Sequence, residues 1–155
     1  MENEEIKIEV YTRERIPDVL GFEKQLRVEE DFWGWEIDDA YLKSVTESFQ
    51  DPRFNNAISL LAYMDGQVVG RIDVVRIPSY FDGSVKAYLD WICVLKSARH
   101  KGVALTLMNE MRGRLKAEGI DTLIALTASN DEAQSFYRSV PNSSMHDTGI
   151  WIDIK

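Results

Sequence analysis

Cysteine and histidine are scarce in this sequence, which contains one cysteine and two histidines among 155 residues. With Cys93 alone, no internal disulfide framework can form, and a reducing compartment such as the cytoplasm is indicated. His100 and His146 lack ligand partners at metal-binding spacing, so no metal site is predicted. A thiol nucleophile built from Cys93 and His100 would lack a third, orienting group, and a lone strand cysteine is usually an inert core residue.

Long apolar runs and an excess of positive charge are also missing. No run approaches the length of a membrane span, and the acidic start MENEEIKIEV is unlike a signal peptide. The chain has 18 Lys and Arg against 26 Asp and Glu, a net charge of −8, which argues against nucleic-acid and anionic-membrane partners. The length is that of one domain, residues 1–155, with a single core.

The charges that are present are unevenly distributed. Residues 28–52 contain eight acids and one base, whereas residues 96–116 contain six bases and one acid. The first segment suits a cation and the second suits an anion, although two solvated faces would give the same pattern.

Hydrophobic periodicity predicts a mixed α/β protein with the element order β-α-α-β-β-β-α-β-α-β. Three antiparallel strands followed by a β-α-β unit imply a mixed, mostly antiparallel, twisted sheet with helices on both faces. Pro17 opens the first helix, Asp38 or Asp39 caps the second, and Asp65-Gly66 joins two strands. The last four elements are predicted to be a helix over about 101–118, a buried strand in DTLIALTAS, a short helix in NDEAQSFYRSV and a final strand in TGIWIDIK.

The segment RHKGVA has the spacing Arg99-x-x-Gly102-x-Ala104 at a strand-to-helix junction. It places Arg99, His100 and Lys101 at a helix N-terminus, the end at which the helix dipole disfavours cations. A glycine and an alanine there leave backbone N–H groups open to a bulky anion, and basic side chains could close on the same anion. A basic surface loop with a permissive glycine is the alternative reading.

Two further features accompany this loop. Val94, at the end of a strand, lies eight residues before Gly102, and the next strand is followed by Asn130-x-x-Ala133-x-x-x-Tyr137. Together with the element order, these features resemble the GNAT superfamily of acyl-CoA-dependent N-acyltransferases.

The resemblance implies a site for acetyl-CoA, with its pyrophosphate on the loop from Arg99 to Ala104 and its pantetheine arm along the strand edge at Val94. It also implies that the Val94 N–H polarises the thioester carbonyl and that Tyr137 protonates the departing thiolate. The residues expected to contact the cofactor are Cys93, Val94, Leu95, Arg99, His100, Lys101, Gly102, Val103, Ala104, Asn130, Ala133 and Tyr137. A half-buried structural aromatic is the alternative for Tyr137.

The general base is predicted from the strand VKAYLDWICVL. Period-two alternation places Lys86, Tyr88, Asp90, Ile92 and Val94 on one face, where Asp90 is the carboxylate. Asp90, acting directly or through water, is therefore the first candidate and Tyr88 the second. A structural hydrogen bond is the alternative role for Asp90.

The acceptor side is predicted around Trp33 and Trp35, where the family builds its acceptor pocket. The acids of residues 28–52 are consistent with a cationic amine bound by aromatic rings and carboxylates, and Asp90 would border the same pocket. Aromatic residues pointing into the core beside a solvated helix are the alternative.

The predicted function is transfer of an acetyl group from acetyl-CoA to a primary amine of a small-molecule or peptide acceptor by direct attack, with no metal and no covalent enzyme intermediate. A GNAT-fold module that binds CoA or a partner protein without catalysis is the alternative. A nucleotide-binding domain would need a GxxxxGK[ST] or GxGxxG motif, and neither is present. After Tyr137 the chain departs from the family pattern, with Pro141 and one predicted strand in place of two, which raises the prospect that a homodimer completes the acceptor side.

Overall fold

A computed structural model describes residues 4–30 and 35–154. Its first four strands pair antiparallel in chain order, and the fifth joins the fourth in parallel, which confirms the predicted mixed sheet. The strands are β1 Lys7–Val10, β2 Ala57–Met64, β3 Gln67–Pro78, β4 Val85–Val94 and β5 Leu123–Ala125. The helices are α1 Ile16–Glu29, α2 Asp39–Ser48, α3 Val103–Ala117 and α4 Asp131–Ser139, with single 3-10 turns at Arg13–Arg15, Pro52–Phe54 and Lys96–Ala98.

The local signals for helix starts and turns act as the sequence indicates. Pro17 lies in the first turn of α1, where its missing N–H costs no hydrogen bond. The side chain of Asp38 caps α2 by accepting the N–H of Tyr41 at 2.8 Å. Asp65 and Gly66 both adopt positive φ, as the tight turn between β2 and β3 requires.

Alternate residues of β3 face different helices. Gly70, Ile72 and Val74 are buried, and a Cβ on Gly70 would lie 2.9 Å from Val103 Cγ1, so α3 packs closely against this face. Arg71 points to the opposite face, where its guanidinium lies 3.6 Å from the carboxylate of Glu23 on α1. Helices therefore cover both faces of the sheet, as predicted.

A β-bulge interrupts β4 at Asp90. Asp73 of β3 pairs with Trp91 and the next residue, Val74, pairs with Leu89, so Asp90 has no partner on β3. The extra residue reverses the alternation of side chains along the strand.

The prediction that one face of β4 carries every second residue from 86 to 94 is therefore wrong. Tyr88 pairs with Val75 and lies on the Arg71 face, whereas Ile92 pairs with Ile72 and lies on the α3 face. The sequence gives no signal for this change because the bulge depends on how β4 meets β3.

The C-terminal part differs most from the prediction. β5 has three residues instead of nine, and Ile124 and Leu126 are 45% and 41% exposed, so it is not a buried strand. Residues 148–154 form no strand, and Ile150 and Ile154 are 82% and 96% exposed. β5 pairs only with residues 87–89 of β4. This ladder is too short to hold a longer β5 or to align a further strand beside it. Within the described ranges, no helix has the length and apolar character needed to cross a bilayer.

Candidate active site

A cleft opens where β4 and β5 separate. Their pairing stops at Leu89, beside the bulge at Asp90, and the edge of β4 from Asp90 to Val94 borders a cavity of about 750 Å³. The other walls are the β4–α3 connection, the start of α3 and α4. Of the residues predicted to contact the cofactor, those lining this cavity are Cys93, Val94, Arg99, His100, Gly102, Val103, Ala104, Asn130, Ala133 and Tyr137. Leu95 and Lys101 are not among its lining residues.

The N–H of Val94 points into this cleft. The backbone N–H of Leu95 donates to the carbonyl of Val69 at 2.8 Å, so Leu95 and Val69 form a hydrogen-bonded pair. Antiparallel strands alternate such pairs with non-bonded ones, and the neighbouring pair is Gly70 with Val94. The Val94 N–H is therefore directed away from β3, toward the side on which β5 has separated.

The loop before α3 presents backbone N–H groups to the same cleft. His100 and Gly102 have φ values of 62° and 83°, and these left-handed turns bring the chain into the helix at Val103. No side chain caps α3, and its first turn contains no acid. A Cβ on Gly102 would meet nothing within 4 Å, so the glycine is required for its backbone conformation and not for space.

The cations of this loop are paired with acids from distant parts of the chain. The guanidinium of Arg99 forms ion pairs with Glu30, at the end of α1, and with Glu132 of α4 at 3.3 Å. The ammonium of Lys101 lies 2.7 Å from Glu4. These pairs offset the unfavourable placement of cations at a helix N-terminus. The sequence prediction missed them because the acids lie 33 to 97 residues away along the chain.

Tyr137 reaches the cleft from α4. The side chain of Asn130 caps this helix by accepting the N–H of Ala133 at 2.8 Å, so the Asn-x-x-Ala spacing has a structural role. The phenol of Tyr137 is half-buried, and burial, followed by the nearby phenol of Tyr88, raises its pKa above the ordinary value of 10.0. The phenol of Tyr137 therefore stays protonated at neutral pH.

The thiol of Cys93 is unsuited to nucleophilic attack. Burial, followed by the charge of Glu30, raises the pKa of Cys93 to about 12. A thiol with this pKa carries almost no thiolate at neutral pH. This agrees with the sequence argument against a cysteine nucleophile.

A second cavity, of about 980 Å³, adjoins the first at Asp90 and Trp91, which line both. Asp90 is exposed, so its carboxylate is open to solvent at this junction. The aromatic residues around the second cavity are Tyr11, Trp35, Tyr41, Phe49, Phe54 and Trp91. Trp35 lies where the acceptor pocket was predicted, whereas Trp33 lies outside the described residues.

A buried polar network forms one wall of the second cavity. Glu23 is 1% exposed, and the hydroxyl of Tyr41 donates to its carboxylate, lying 2.7 Å from each oxygen. Arg71 lies 3.6 Å from Glu23 and 2.7 Å from Asp73. The guanidinium of Arg71 also stacks near the rings of Tyr11 and Trp91, at 4.9 and 5.7 Å from their centroids.

This network carries one more negative charge than positive, since two carboxylates face one guanidinium. Burial, followed by the hydrogen bond to Glu23, raises the pKa of Tyr41, and burial raises the pKa of Tyr11 to about 12. Both phenols therefore stay protonated at neutral pH. The sequence prediction did not single out Glu23, Arg71 or Asp73; a usable signal was the alternation of charged and apolar residues in GRIDVV, which places two charges on one face of a central strand.

Among the described residues, no group of three or more His, Cys, Asp or Glu side chains is arranged to hold a metal ion.

The separated strands, the bulge and the uncapped helix define a fold class that is shared with known N-acetyltransferases. An aminoglycoside acetyltransferase from an uncultured soil metagenomic sample, solved with trehalose, superposes with a TM-score of 0.80 at 17% identity over 97% of each chain. The aminoglycoside N-acetyltransferase AAC(6')-Iy, solved with CoA, gives 0.76 at 22% identity over 98% of this chain and 97% of that one. A ribosomal-protein-alanine N-acetyltransferase from Brucella melitensis biovar Abortus 2308 gives 0.72 at 17% identity over 96% and 99%.

The family is shown by a match of the sequence to a family model. The model of the acetyltransferase (GNAT) family matches residues 19–140, so the chain belongs to this family and is an acetyltransferase. No curated protein matches the sequence.

Proposed function

We propose that this acetyltransferase moves an acetyl group from acetyl-CoA to a primary amine of a small cationic acceptor. The observation that carries the proposal is the continuity of the two cavities. The open edge of β4 leads from the uncapped, cation-rich start of α3 to the bulge at Asp90, where the second cavity begins.

Each part of the first cavity has a counterpart in acetyl-CoA. The diphosphate suits the open N–H groups and cations between Arg99 and Ala104. The pantetheine arm, which contains amides, suits the unpaired edge of β4, as an added strand would. The amide nitrogen of Asn130 remains available to that arm, because the cap of α4 uses its side-chain oxygen. Similarity to a structure solved with CoA supports the same cofactor.

The proposed reaction is a direct attack on the thioester. Asp90 takes a proton from the ammonium group of the acceptor, directly or through water, and the free amine forms a bond to the acetyl carbon. The Val94 N–H donates a hydrogen bond to the carbonyl oxygen as negative charge develops there. The carbon–sulfur bond then breaks, Tyr137 donates its proton to the departing thiolate, and the resulting phenolate takes the second proton from the nitrogen of the new amide. Tyr88 is the second candidate for the base.

The acceptor is proposed to be a cationic small molecule. A volume of about 980 Å³ exceeds the needs of a simple alkylamine and is in the range of a drug-sized ligand. Trp35, Trp91 and Asp90 supply aromatic faces and a carboxylate for ammonium groups. Aminoglycosides, the substrates named for two similar structures, are the first compounds to test. A peptide N-terminus is the second candidate, because the Brucella relative is a ribosomal-protein-alanine N-acetyltransferase.

A calorimetric titration with acetyl-CoA, followed by an assay of CoA release with aminoglycosides, polyamines and alanine-terminated peptides, tests the proposal. We expect acetyl-CoA binding and turnover with at least one aminoglycoside or polyamine. Tight acetyl-CoA binding without turnover of any amine would favour the alternative of a non-catalytic CoA-binding module. The proposed location is the cytoplasm, because the single thiol needs no oxidising compartment.

The Asp90→Asn variant tests the proposed base. We expect kcat to fall roughly 10- to 100-fold while the Kd for acetyl-CoA stays unchanged, because the amide cannot accept the proton and water replaces it only in part. The matched control is Asp121→Asn, which removes an exposed carboxylate that lines neither cavity. Equal kcat values for the two variants would exclude Asp90 and favour Tyr88.

The homodimer is proposed to form through the C-terminal segment. Ile150, Trp151 and Ile152 are 74% to 82% exposed, and Ile124 of β5 is 45% exposed. The alternating sequence IWIDI is typical of a strand, and β5 pairs only with β4 among the described strands. A second copy of the chain fits both the C-terminal segment and β5. In a two-fold symmetric contact, the C-terminal segment of each chain would pack against the C-terminal region of the other.

Light scattering coupled to size-exclusion chromatography tests this contact. We expect a dimer for the wild type at about 50 µM and a monomer for Trp151→Glu combined with Ile152→Glu, because charges in a desolvated contact are costly. Tyr80→Glu, in the loop between β3 and β4, is the control for a charge on an exposed aromatic side chain and should remain dimeric. A monomeric wild type would contradict the proposal.

A further inference from the structure

Arg99 is held by two carboxylates at the place where a diphosphate is proposed to bind. Its guanidinium forms ion pairs with Glu30 and Glu132, and its Nε lies 3.4 Å from the carbonyl oxygen of Val94. The side chains of Arg99 and Glu30 are 26% and 27% exposed, whereas that of Glu132 is 61% exposed. An incoming diphosphate therefore meets a cation that is already neutralised from two sides.

The pairing with α1 is reinforced by the preceding residue. Glu29 accepts the N–H and the hydroxyl of Ser97, at 3.1 and 2.5 Å. Burial opposes ionisation of Glu29, but its bonds from Ser97 and Gln25 outweigh burial and hold its pKa below the ordinary value of 4.5. The last residue of α1 and the residue that follows it thus both bind the connection between β4 and α3. Glu29 binds neutral groups of this connection, whereas Glu30 occupies its arginine.

We propose that Glu30 and Glu132 are specificity-determining residues of the cofactor site, which hold Arg99 in the empty protein and release it to a diphosphate. This inference rests on the proposed binding of CoA. A guanidinium offers a planar fork that fits a carboxylate or a phosphate, and it cannot serve two carboxylates and a diphosphate with the same N–H groups. The affinity for a diphosphate then depends on the difference in free energy between the ion pairs of Arg99 with the two carboxylates and its contacts with the diphosphate.

The exchange discriminates among anions by their charge. A single phosphate gains too little from the open N–H groups of α3 to displace two carboxylates, and it is repelled by them. A diphosphate reaches more of these N–H groups and carries more charge, so it can compensate for the lost ion pairs. The carboxylates therefore lower the affinity for every anion that has to displace them, and an anion with few other contacts, such as orthophosphate or the 5'-monophosphate of a nucleoside, is left too weakly bound to compete with CoA.

Isothermal titration of CoA, inorganic pyrophosphate and orthophosphate into Glu30→Gln, Glu132→Gln and wild-type protein tests this inference. We expect Glu30→Gln to bind CoA roughly 3- to 10-fold more tightly, since loss of a partly exposed ion pair changes an equilibrium by about this factor. Glu132→Gln should show a smaller gain because its carboxylate is more exposed. Pyrophosphate should gain by a similar factor, because it releases the same ion pairs, and orthophosphate should remain the weakest of the three ligands.

The control is Glu110→Gln, which changes the net charge by the same amount and removes an ion pair with Arg114 on α3, away from both cavities. It should bind CoA as the wild type does. The melting temperature of the empty Glu30→Gln protein should be lower, so affinity and stability move in opposite directions, which a merely structural role would not produce. CoA affinity that is unchanged or weaker in both variants would overturn the inference while the function stands. A wild type that binds neither CoA nor pyrophosphate would overturn both.

Discussion

Replacing Gly102 with glutamate is expected to abolish the rise in melting temperature that acetyl-CoA produces in the wild-type protein. Gly102 is the N-cap residue of α3 and has a φ of 83°, a conformation in which a side chain costs about 1 to 2 kcal/mol. The new carboxylate would stand beside the N–H groups of Val103 and Ala104 and would compete with the diphosphate for them. We expect the Kd for acetyl-CoA to rise at least about 100-fold, which corresponds to roughly 2.7 kcal/mol.

The variant Gly102→Ala separates the effect of charge from that of backbone strain. Apart from the two chain neighbours, no heavy atom of the described residues lies within 4 Å of an added Cβ, so both variants should fold, and both carry the same strained φ. The alanine variant should therefore lose some stability but retain most of its response to acetyl-CoA. Differential scanning fluorimetry with and without the ligand measures both effects. A full ligand response in Gly102→Glu would show that the diphosphate does not bind at this helix start.

The order of the first nine elements could be predicted from the sequence because each depends on a local signal, whereas the final strand is not formed. The cap at Asp38, the turn at Asp65-Gly66 and the glycine before α3 each act within a few residues of the chain. The local structure of the loop that is proposed to bind the cofactor was predictable for the same reason, since a strand, a turn and a helix start follow one another between residues 94 and 104.

The features that escaped prediction depend on contacts between distant segments. The bulge at Asp90 is a property of the register between β3 and β4, and it moved Tyr88 and Ile92 to opposite faces of the sheet. The pairing of Arg99 with Glu30 joins residues that are 69 positions apart. The acids of residues 28–52 were assigned to the acceptor side, but Glu29 and Glu30 turned out to contact the cofactor loop.

The C-terminal error has a different origin. The segments LIAL and IWIDI have the composition of strands, but composition does not provide a partner strand. Because β4 turns away after Leu89, β5 loses its neighbour, and the segment at Ile150–Ile154 finds no ladder to extend among the described residues. The same separation of β4 from β5 opens the cavity that is proposed to hold acetyl-CoA. The separation of these two strands therefore explains why the strand prediction is wrong, and the proposed site depends on the same separation.

Replacing Tyr137 with phenylalanine is expected to lower kcat roughly 100- to 1000-fold with little change in the Kd for acetyl-CoA. The phenol lines the first cavity with Val94, whose N–H is directed into the same cleft, and burial raises the pKa of Tyr137 above 10.0. It therefore holds its proton until the thiolate begins to leave. Phenylalanine preserves the ring, and with it the edge contact to Phe136 at a centroid distance of 5.3 Å, so the fold of α4 should be unchanged.

The matched control is Tyr80→Phe, which removes an exposed phenol that lines neither cavity. If Tyr137 is the acid, only the Tyr137→Phe variant should show the large loss of kcat. This loss should be smaller with thioesters whose thiolate is stable without a proton, such as an aryl thioacetate. Because the pKa of Tyr137 lies above 10.0, the wild-type kcat should not decline through loss of this proton between about pH 7 and 9. A kcat for Tyr137→Phe that matches the wild type with CoA as the leaving group would show that water supplies the proton, and Tyr137 would then be an aromatic wall of the cleft.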